Sequence, residues 1–263
     1  MVDLLMDFTL KKYTQLLDAF LCSGYEFMTF EDYCSCAKEL ADKKLVIFRH
    51  DVDLKAENAL QVAKIEAEKG IRSTYYFRTL ASSNKPNVIK QIVALGHEVG
   101  YHYEDFSFCN GDAEKAKHLF LKNLNYFRQF YPVKTICMHG SPRSRFDNKD
   151  LWKSFDYQSC GIVGEPYFDM DFDEFFYLTD TGRCWDGFLT SVRDKVPQQN
   201  DWEKKSLVYH STDDVINALL ENKFPHRLML TTHPQRWTDS IFLWTKEFVF
   251  QNVKNQIKRW LVD

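Results

Sequence analysis

Leu45-Val46-Ile47-Phe48-Arg49-His50-Asp51-Val52-Asp53 opens with four apolar residues and closes with mostly charged ones. A short apolar run rich in β-branched residues is typical of a buried strand. The two carboxylates at its end, Asp51 and Asp53, indicate that the strand leads out of the core into a reactive site. Alone, such a pair is equally typical of a helix cap beside a solvated charge, so the rest of the chain has to decide.

The surrounding sequence alternates between short apolar runs and stretches with helical periodicity, which predicts βα units and a mainly parallel sheet. Further strands are predicted at 74–77, 98–101, 135–138 and 228–231, with shorter ones near 160–163 and 175–179. Helices are predicted over about 8–21, 30–41, 55–69, 85–95 and 238–261, and a loop over 190–206. We expect a single domain over residues 1–263, with 1–43 forming N-terminal helices packed on it.

Composition narrows the class of protein. The chain has 263 residues, 44% of them hydrophobic, and a formal net charge of −3. It lacks the long basic run that indicates a nucleic-acid partner. No stretch reaches the roughly 20 apolar residues of a membrane span, and the first residues do not resemble a signal peptide, so we expect a cytoplasmic protein. The seven scattered cysteines are expected to be reduced thiols.

Polar, ionisable residues follow four of the predicted strands. The four segments are His50-Asp51-Val52-Asp53, His102-Tyr103-Glu104, His139-Gly140-Ser141 and Thr232-His233-Pro234. Because the carboxyl ends of parallel strands lie at one edge of a sheet or barrel, these side chains should converge there. Imidazole and carboxylate together suit zinc or another divalent metal with a position left open for water. The sequence therefore predicts a hydrolytic metal centre.

These segments resemble the polysaccharide deacetylases of the NodB-homology type, carbohydrate esterase family four. That family has a first strand ending in Asp-Asp or Asp-x-Asp and a second motif similar to Gly96-His97-Glu98-Val99-Gly100-Tyr101-His102. Later motifs are similar to His139-Gly140-Ser141-Pro142-Arg143 and to Leu230-Thr231-Thr232-His233-Pro234. The ordered matches span roughly residues 45–234. The resemblance implies an irregular (β/α) barrel of about seven mainly parallel strands.

The resemblance also implies roles for individual residues. Asp51 resembles the general base, Asp53 the metal-binding carboxylate, His102 the first metal histidine and His233 the general acid. His97 resembles a structural residue. The segment Asp180-Thr181-Gly182-Arg183-Cys184-Trp185 stands where the family places groups that orient the acid and shape the acyl pocket. The candidates for the charge partner of the base are Arg49, Arg143 and Arg183.

The chain departs from the family at one metal ligand. The second metal histidine normally stands four residues after the first, where this chain has Phe106. Glu104, Asp105 or His139 could complete the site. We favour Glu104, because residues two apart in an extended segment share a face, and Glu104 would then face the same way as His102.

The resemblance implies a metal-dependent hydrolase, with zinc as the expected ion, that removes an N- or O-acetyl group from a carbohydrate or sugar conjugate. Two alternatives stay open at the level of sequence. The chain could hydrolyse a different, non-sugar amide, or it could be a non-catalytic carbohydrate-binding relative, which Phe106 favours. The sequence does not define an oligomeric state.

Overall fold

The computed structural model describes residues 6–36, 43–186 and 196–262. The strands in these ranges are β1 (Glu26–Met28), β2 (Leu45–Val52), β3 (Thr74–Phe77), β4 (Glu98–Tyr103), β5 (Ile136–Met138), β6 (Phe176–Thr179) and β7 (Arg227–Thr232). The α-helices are α1 (Leu10–Cys22), α2 (Phe30–Cys36), α3 (Ala56–Glu68), α4 (Pro86–Ala94), α5 (Asp105–Phe108), α6 (Ala113–Phe127), α7 (Pro166–Asp169), α8 (Gln199–Lys204), α9 (Thr212–Leu220) and α10 (Ile241–Val262). Short 3-10 helices cover Asn148–Lys153, Tyr157–Cys160 and Pro234–Arg236.

The described strands form one sheet in the order β5-β4-β3-β2-β7-β6, and all their pairings are parallel. β1 pairs with the first part of β2, and β3 pairs with its second part. The sheet curls into a half-barrel with helices around it, which confirms the predicted fold class. β2 lies at the middle of the curl, so its carboxyl end is surrounded by the ends of the other strands.

The strand register decides which side chains meet inside the curl. Asp51 lies opposite Tyr76, Tyr76 lies opposite Gly100, and His102 lies opposite Cys137. Because every second residue of a strand shares a face, these side chains all point to the same side of the sheet. The site residues of β2, β4 and β5 therefore face one another across the interior.

The opposite face of β3 and β4 is apolar and packs against helices. Tyr75, Phe77, Val99 and Tyr101 are fully buried in one cluster with side chains of α3, α4 and α6. Burial of aromatic and branched side chains contributes roughly 1.5–3 kcal/mol each. This layer fixes β3 and β4 as a rigid support for the interior face.

Most predicted elements are confirmed, with differences at irregular places. The predicted strand near 160–163 is wrong: the 3-10 helix Tyr157–Cys160 ends at Gly161, whose φ is +71°, and only an isolated bridge joins Gly164 to Thr135. The N-terminal 43 residues contain β1 besides the expected helices. Residues 37–41 of the predicted second helix, and 190–195 of the predicted loop, lie outside the described residues, and the rest of that loop contains α8.

None of the described helices combines the length and the apolar character that a membrane crossing requires. The six cysteines whose side chains are described are free thiols: Cys22, Cys34, Cys109, Cys137, Cys160 and Cys184.

Candidate active site

The carboxyl ends of five strands deliver ionisable side chains to one place. Asp51 and Asp53 come from β2, His102 from β4, His139 from the segment after β5, Asp180 from the segment after β6 and His233 from the segment after β7. The sequence predicts four of these strand ends from their ionisable residues, and the family resemblance implies the fifth, at the end of β6.

Asp53 lies at the centre of the group. Its Oδ1 is 3.6 Å from Nε2 of His102 and 3.5 Å from Nε2 of His139. Its Oδ2 is 3.9 Å from Nε2 of His233 and accepts a hydrogen bond of 3.4 Å from Nε2 of Gln235. Among the described residues, Oδ1 is a buried oxygen without a hydrogen-bond partner. A buried, unsatisfied carboxylate oxygen is rare and indicates a place for a cation.

All three histidines are held through the other ring nitrogen. Nδ1 of His102 is 2.9 Å from the carbonyl oxygen of Cys137. Nδ1 of His139 is 2.9 Å from a carboxylate oxygen of Glu104, and Nδ1 of His233 is 2.6 Å from one of Asp180. The carbonyl oxygen can only accept, so Nδ1 of His102 donates, which leaves the Nε2 lone pair of its neutral ring free to bind. Nδ1 of His139 also lies 3.3 Å from the backbone N–H of Ser141, and Nδ1 of His233 lies 3.0 Å from Nη1 of Arg236. In both rings the contact to the carboxylate is the shorter one, and it favours the same tautomer. This is the arrangement by which proteins orient metal-binding histidines.

The electrostatics of the site favour positive charge. Burial would raise the pKa of Asp53, but the nearby His102, His139 and His233 outweigh it and hold the pKa well below its usual range. Burial would lower the pKa of His102, but the carboxylates of Asp51 and Asp53 outweigh it and raise the pKa. Asp53 is therefore held as an anion, and a positive charge on His102 is favoured beside it.

Asp51 is bound by Arg49 in a two-pronged ion pair. Nε of Arg49 donates to Oδ1 at 2.8 Å, and Nη2 donates to Oδ2 at 2.6 Å. Burial would raise the pKa of Asp51, but the charge of Arg49 outweighs it and lowers the pKa to about 2. Of the three candidate arginines, Arg49 is therefore the charge partner of Asp51, because Arg143 is exposed and Arg183 lies elsewhere.

His233 belongs to a network centred on Asp180. Oδ1 of Asp180 accepts from His233 and, at 2.7 Å, from Nη1 of Arg236, while Oδ2 accepts from Nε1 of Trp237 at 2.9 Å. Burial would raise the pKa of Asp180, but Arg236 and His233 outweigh it and lower the pKa. Asp180 is thus a fixed anion that orients the His233 ring, in the position that the sequence predicts.

Two residues that the sequence assigns to site shaping lie next to helices: Arg183, which is half-buried, beside α10, and Trp185, which is in the core, beside α9. Arg183 donates to the carbonyl oxygen of Trp244 at 2.9 Å, and its guanidinium lies 4.3 Å from the Trp244 ring centre. Trp185 is 2% exposed and donates from Nε1 to Thr212 at 2.9 Å. Both side chains hold the segment after β6 against these helices, and the structure does not bring them to Asp51 or Asp53.

Glu104, the favoured third ligand, is engaged away from Asp53. Its two oxygens accept from Nε and Nη2 of Arg78, each at 2.7 Å, and one oxygen also faces Nδ1 of His139. Burial would raise the pKa of Glu104, but His139 and Arg78 outweigh it and lower the pKa to about 2. Glu104 therefore acts on the site through its contact with Nδ1 of His139.

Asp105, another candidate for the third ligand, and Phe106, which stands where the family has its second metal histidine, are both engaged by other parts of the protein. Asp105 accepts from the Tyr101 hydroxyl at 2.8 Å and from Asn123 of α6 at 2.8 Å, and burial raises its pKa to about 7. Phe106 packs into the apolar cluster with α6, its ring 5.9 Å from that of Phe146. The turn into α5 thus directs both side chains into the protein.

A partly different group of the described residues also has a geometry that could bind a metal ion. Single ligand atoms of Asp51, His102 and Cys137 lie within 4.8 Å of one another. Cys137 is fully buried below His102, and both oxygens of Asp51 are occupied by Arg49. We give more weight to Asp53, because its Oδ1 is unsatisfied and its side chain lies nearer to solvent, 20% exposed against 6% for Asp51.

Sequence reasoning missed several residues that build the site. Gln235, Arg236 and Trp237 follow His233 directly, in a 3-10 helix that turns their side chains back towards Asp53 and Asp180. The polar run after the last strand was a signal for the first two. Nothing in the sequence marks Arg78, whose partner Glu104 lies on the neighbouring strand segment.

One cavity of the described structure lies apart from this site. It lies at the opposite, amino end of β7 and is lined by polar and aromatic residues that include Lys43, Trp202, His226 and Arg227. The reactive groups instead lie in the mouth of the half-barrel.

No protein-family model matches the chain, and no curated protein matches it either. Among solved structures, the chain is similar to the deacetylase PplD of Streptococcus pyogenes in complex with acetate, at 17% identity and a TM-score of 0.39, over 54% of this chain and 66% of that one. It is also similar to a CE4 family pseudoenzyme from Bacillus anthracis, at 13% identity and a TM-score of 0.40, over 82% of this chain and 62% of that one.

A mutant of the Bacillus anthracis protein with restored enzymatic activity also matches, at 13% identity and a TM-score of 0.40, over 82% of this chain and 64% of that one. The chain therefore spans about two thirds or less of the solved chains it matches. CE4 is the family that the sequence motifs resemble. With TM-scores this low, what the site can do has to follow from its own side chains.

Proposed function

We propose that the chain is a metal-dependent hydrolase that removes an acetyl group from a carbohydrate. One observation carries the proposal: Nε2 atoms from three separate strand ends converge on Asp53, whose Oδ1 is buried without a partner. Carboxylate and imidazole are ligands that suit zinc and similar divalent ions. The donor set therefore fits the metal that the motifs imply, with Asp53 and His102 as ligands.

A bound divalent ion would supply Lewis acidity, lowering the pKa of water to about 7 and polarising the acyl carbonyl. Asp51 takes the role of general base. It lies 3.6 Å from Nε2 of His102, adjacent to the proposed metal position, and Arg49 keeps it ionised and fixed. An ionised carboxylate held in this position can accept the proton of the attacking water.

His233 takes the role of general acid on the other side of Asp53. Asp180 holds Nδ1 of the ring, so Nε2 faces the interior, where it can give a proton to the leaving amine or alcohol. The proposal thus gives Asp51 and His233, which come from two different strand ends, the two proton-transfer roles that hydrolysis of an acyl group requires.

The carbohydrate part of the proposal is supported by the motif resemblance and is tested by a substrate panel. The purified protein, with zinc added, is incubated with N- and O-acetylated sugars, acetylated sugar nucleotides and non-sugar amides, and released acetate or amine is measured. We expect turnover of at least one sugar substrate. Hydrolysis of the non-sugar amides alone would replace the proposal with a different amidase, and saturable sugar binding without hydrolysis would replace it with a binding protein.

Asp51→Asn tests the mechanism. We expect turnover to fall by at least the ~10²–10⁴-fold that general-base catalysis contributes, because the amide cannot accept the proton. Metal content, measured by elemental analysis, should stay at the wild-type level, since Asp51 is not a proposed ligand. The matched control is His118→Ala, which removes an exposed imidazole on α6. A fully active Asp51→Asn protein would contradict the role.

A further inference from the structure

We propose that His139 supplies the third protein ligand of the metal, and that Glu104 and Arg78 position it. The inference rests on the metal dependence proposed above. It assigns the function of the missing histidine at position 106 to a residue from a different strand end.

Distance is the first argument. The Nε2 atoms of His102 and His139 lie 3.6 and 3.5 Å from the same oxygen, Oδ1 of Asp53. Two ligands of a tetrahedral zinc ion at ~2.1 Å are separated by ~3.4 Å. The distance from each imidazole Nε2 to Oδ1 of Asp53 is therefore already close to the distance between two ligands of one zinc ion. His139 does not belong to the group of residues, Asp51, His102 and Cys137, whose ligand atoms lie within 4.8 Å of one another. Metal binding must therefore also bring the Nε2 atoms of His102 and His139 closer together.

The backbone of His139 is fixed at both ends, which is the second argument. Its N–H donates to the carbonyl oxygen of Tyr103 at 2.8 Å, and its carbonyl oxygen accepts from Nδ2 of Asn148 at 2.7 Å. Ser141, two residues on, has a φ of +39°, an unfavourable value for a non-glycine residue. Strained backbone of this kind persists where the surrounding structure holds a functional side chain in place.

The ring of His139 is oriented by an ion pair, which is the third argument. Arg78 binds both oxygens of Glu104, and Glu104 in turn receives Nδ1–H of His139. A carboxylate on the far nitrogen fixes the tautomer and makes Nε2 a stronger ligand. Glu104 is 4% exposed and Arg78 11% exposed, so this ion pair has little access to water.

The position of Phe106 explains why the ligand has moved. β4 ends at Tyr103 and α5 begins at Asp105, so the residue at 106 faces the apolar cluster with α6. A histidine there would lie beside Phe146, away from Asp53. The segment after β5, in contrast, passes directly over Asp53.

Metal affinity tests the proposal without reference to activity. Zinc is removed by chelation, and zinc binding by the wild type, His139→Ala, Glu104→Gln and His118→Ala is measured by competition with a chromophoric chelator. We expect wild-type affinity for His118→Ala and a ~10–100-fold loss for Glu104→Gln, the cost of removing an orienting partner. His139→Ala should lose more than Glu104→Gln. Circular dichroism of each metal-free protein shows whether it folds, and His139→Gln replaces the alanine variant if that one does not.

Cobalt spectroscopy tests the competing set that contains Cys137. The wild type loaded with Co²⁺ should show the visible bands of nitrogen and oxygen ligands without an intense thiolate charge-transfer band, and Cys137→Ser should leave that spectrum unchanged. His139→Ala should alter the visible bands. A thiolate band that Cys137→Ser abolishes would overturn the proposal in favour of Asp51, His102 and Cys137.

The outcomes separate this inference from the proposed function. If His102→Ala loses the metal while His139→Ala keeps wild-type affinity, His139 is not a ligand and the metal-dependent hydrolase stands. If Glu104→Gln loses more affinity than His139→Ala, Glu104 is the ligand that the sequence favours. If the wild type binds no divalent metal, the proposed function fails, and this inference fails with it.

Discussion

Arg49 places a guanidinium in the interior of the curled sheet, where it is 1% exposed. A charge buried to this extent is costly unless it is paired and hydrogen-bonded. Asp51, two residues further along the same face, provides the pair, and the rings of Tyr76 and Tyr167 lie 5.9 and 5.3 Å from the guanidinium. Arg49 therefore keeps the neighbouring carboxylate, the proposed general base, ionised.

Replacing Arg49 should therefore change the pH dependence of the proposed reaction. In Arg49→Met the pKa of Asp51 rises, because burial then acts without the opposing charge, and the acidic limb of kcat/KM moves to higher pH. Arg49→Lys keeps the charge and should shift the limb less. The measurement is a pH–rate profile with circular dichroism as a folding control, since breaking a buried pair costs about 3–5 kcal/mol. An acidic limb that does not move would contradict the role of Arg49.

Asp180→Asn should impair the acid without affecting metal. The neutral amide no longer holds the His233 ring through a charged hydrogen bond, so we expect kcat to fall by ~10²–10⁴-fold, the range of general-acid catalysis. Zinc affinity should remain at the wild-type value. A substrate with a better leaving group should recover part of the loss, because it needs less protonation. Equal losses for good and poor leaving groups would indicate a structural role alone.

At the residue scale, the sequence predicts where the ionisable groups converge better than what each one touches. The structure brings Asp51, Asp53, His102 and His233 together, while their catalytic and ligand roles stay predictions. Arg183 and Trp185 instead contact Trp244 and Thr212, although they share a segment with Asp180. Which way a side chain points after the end of a strand depends on the turn and on neighbouring helices, and the sequence does not reveal either.

At the element scale, β4 shows why a glycine stands two residues before His102. A Cβ built on Gly100 would lie 2.3 Å from the Tyr76 ring and 2.9 Å from the backbone oxygen of Thr135. The strand can therefore lie under Tyr76 only if position 100 has no side chain. Gly100 thus allows β4 to take the position in which His102 lies close to Asp51.

Gly100→Ala should consequently destabilise the protein by at least ~1–3 kcal/mol, the usual cost of overpacking a core. The free energy of unfolding is measured by urea denaturation. In a double-mutant cycle with Tyr76→Leu, removal of the ring should relieve part of the cost. Additive effects of the two substitutions would show that the contact with Tyr76 does not explain the glycine.

The elements that the sequence predicts correctly are those with a strong local pattern. β2, β3, β4 and β7 are apolar runs, and α3 and α4 have clear helical periodicity. β1 is three residues long and forms through its pairing with β2, so no local signal marks it. The register that places Cys137 beside His102 is likewise a property of the assembled sheet.

At the scale of the whole molecule, a second buried network lies behind the sheet and links α1, β2, β3 and α3. Glu66 of α3 is fully buried, accepts from the hydroxyls of Tyr13 and Tyr75, and lies 2.8 Å from Nε2 of His50. Burial would raise the pKa of Glu66, but His50 outweighs it and lowers the pKa to about 2.

This shift predicts a pH-dependent stability. Because the folded pKa is depressed, the contribution of Glu66 is fully present above its ordinary pKa of 4.5 and is lost as pH falls towards about 2. The shift corresponds to roughly 3 kcal/mol. We expect Glu66→Gln to be less stable at neutral pH and to lose less stability than the wild type between these pH values, as measured by urea denaturation. Parallel stability curves for the two proteins would contradict this assignment.

Alternating patterns along the chain predict the parallel sheet and the convergence of its strand ends, and the resemblance of the motifs implies the barrel. The sequence leaves open whether Glu104, Asp105 or His139 completes the metal site, since that depends on packing around positions 104–106. The cytoplasmic location, the substrate and the identity of the metal stay predictions.

The place of β7 in the sheet has a consequence for biosynthesis. His50 and Thr232 contact each other across 182 residues of chain, and β7 inserts between β2 and β6. Until the ribosome has released β7, the edges of β2 and β6 carry unpaired N–H and C=O groups, which promote association with other chains. β7, the last of the described strands along the chain, brings His233 to the site and therefore also closes the edges through which a nascent chain would aggregate.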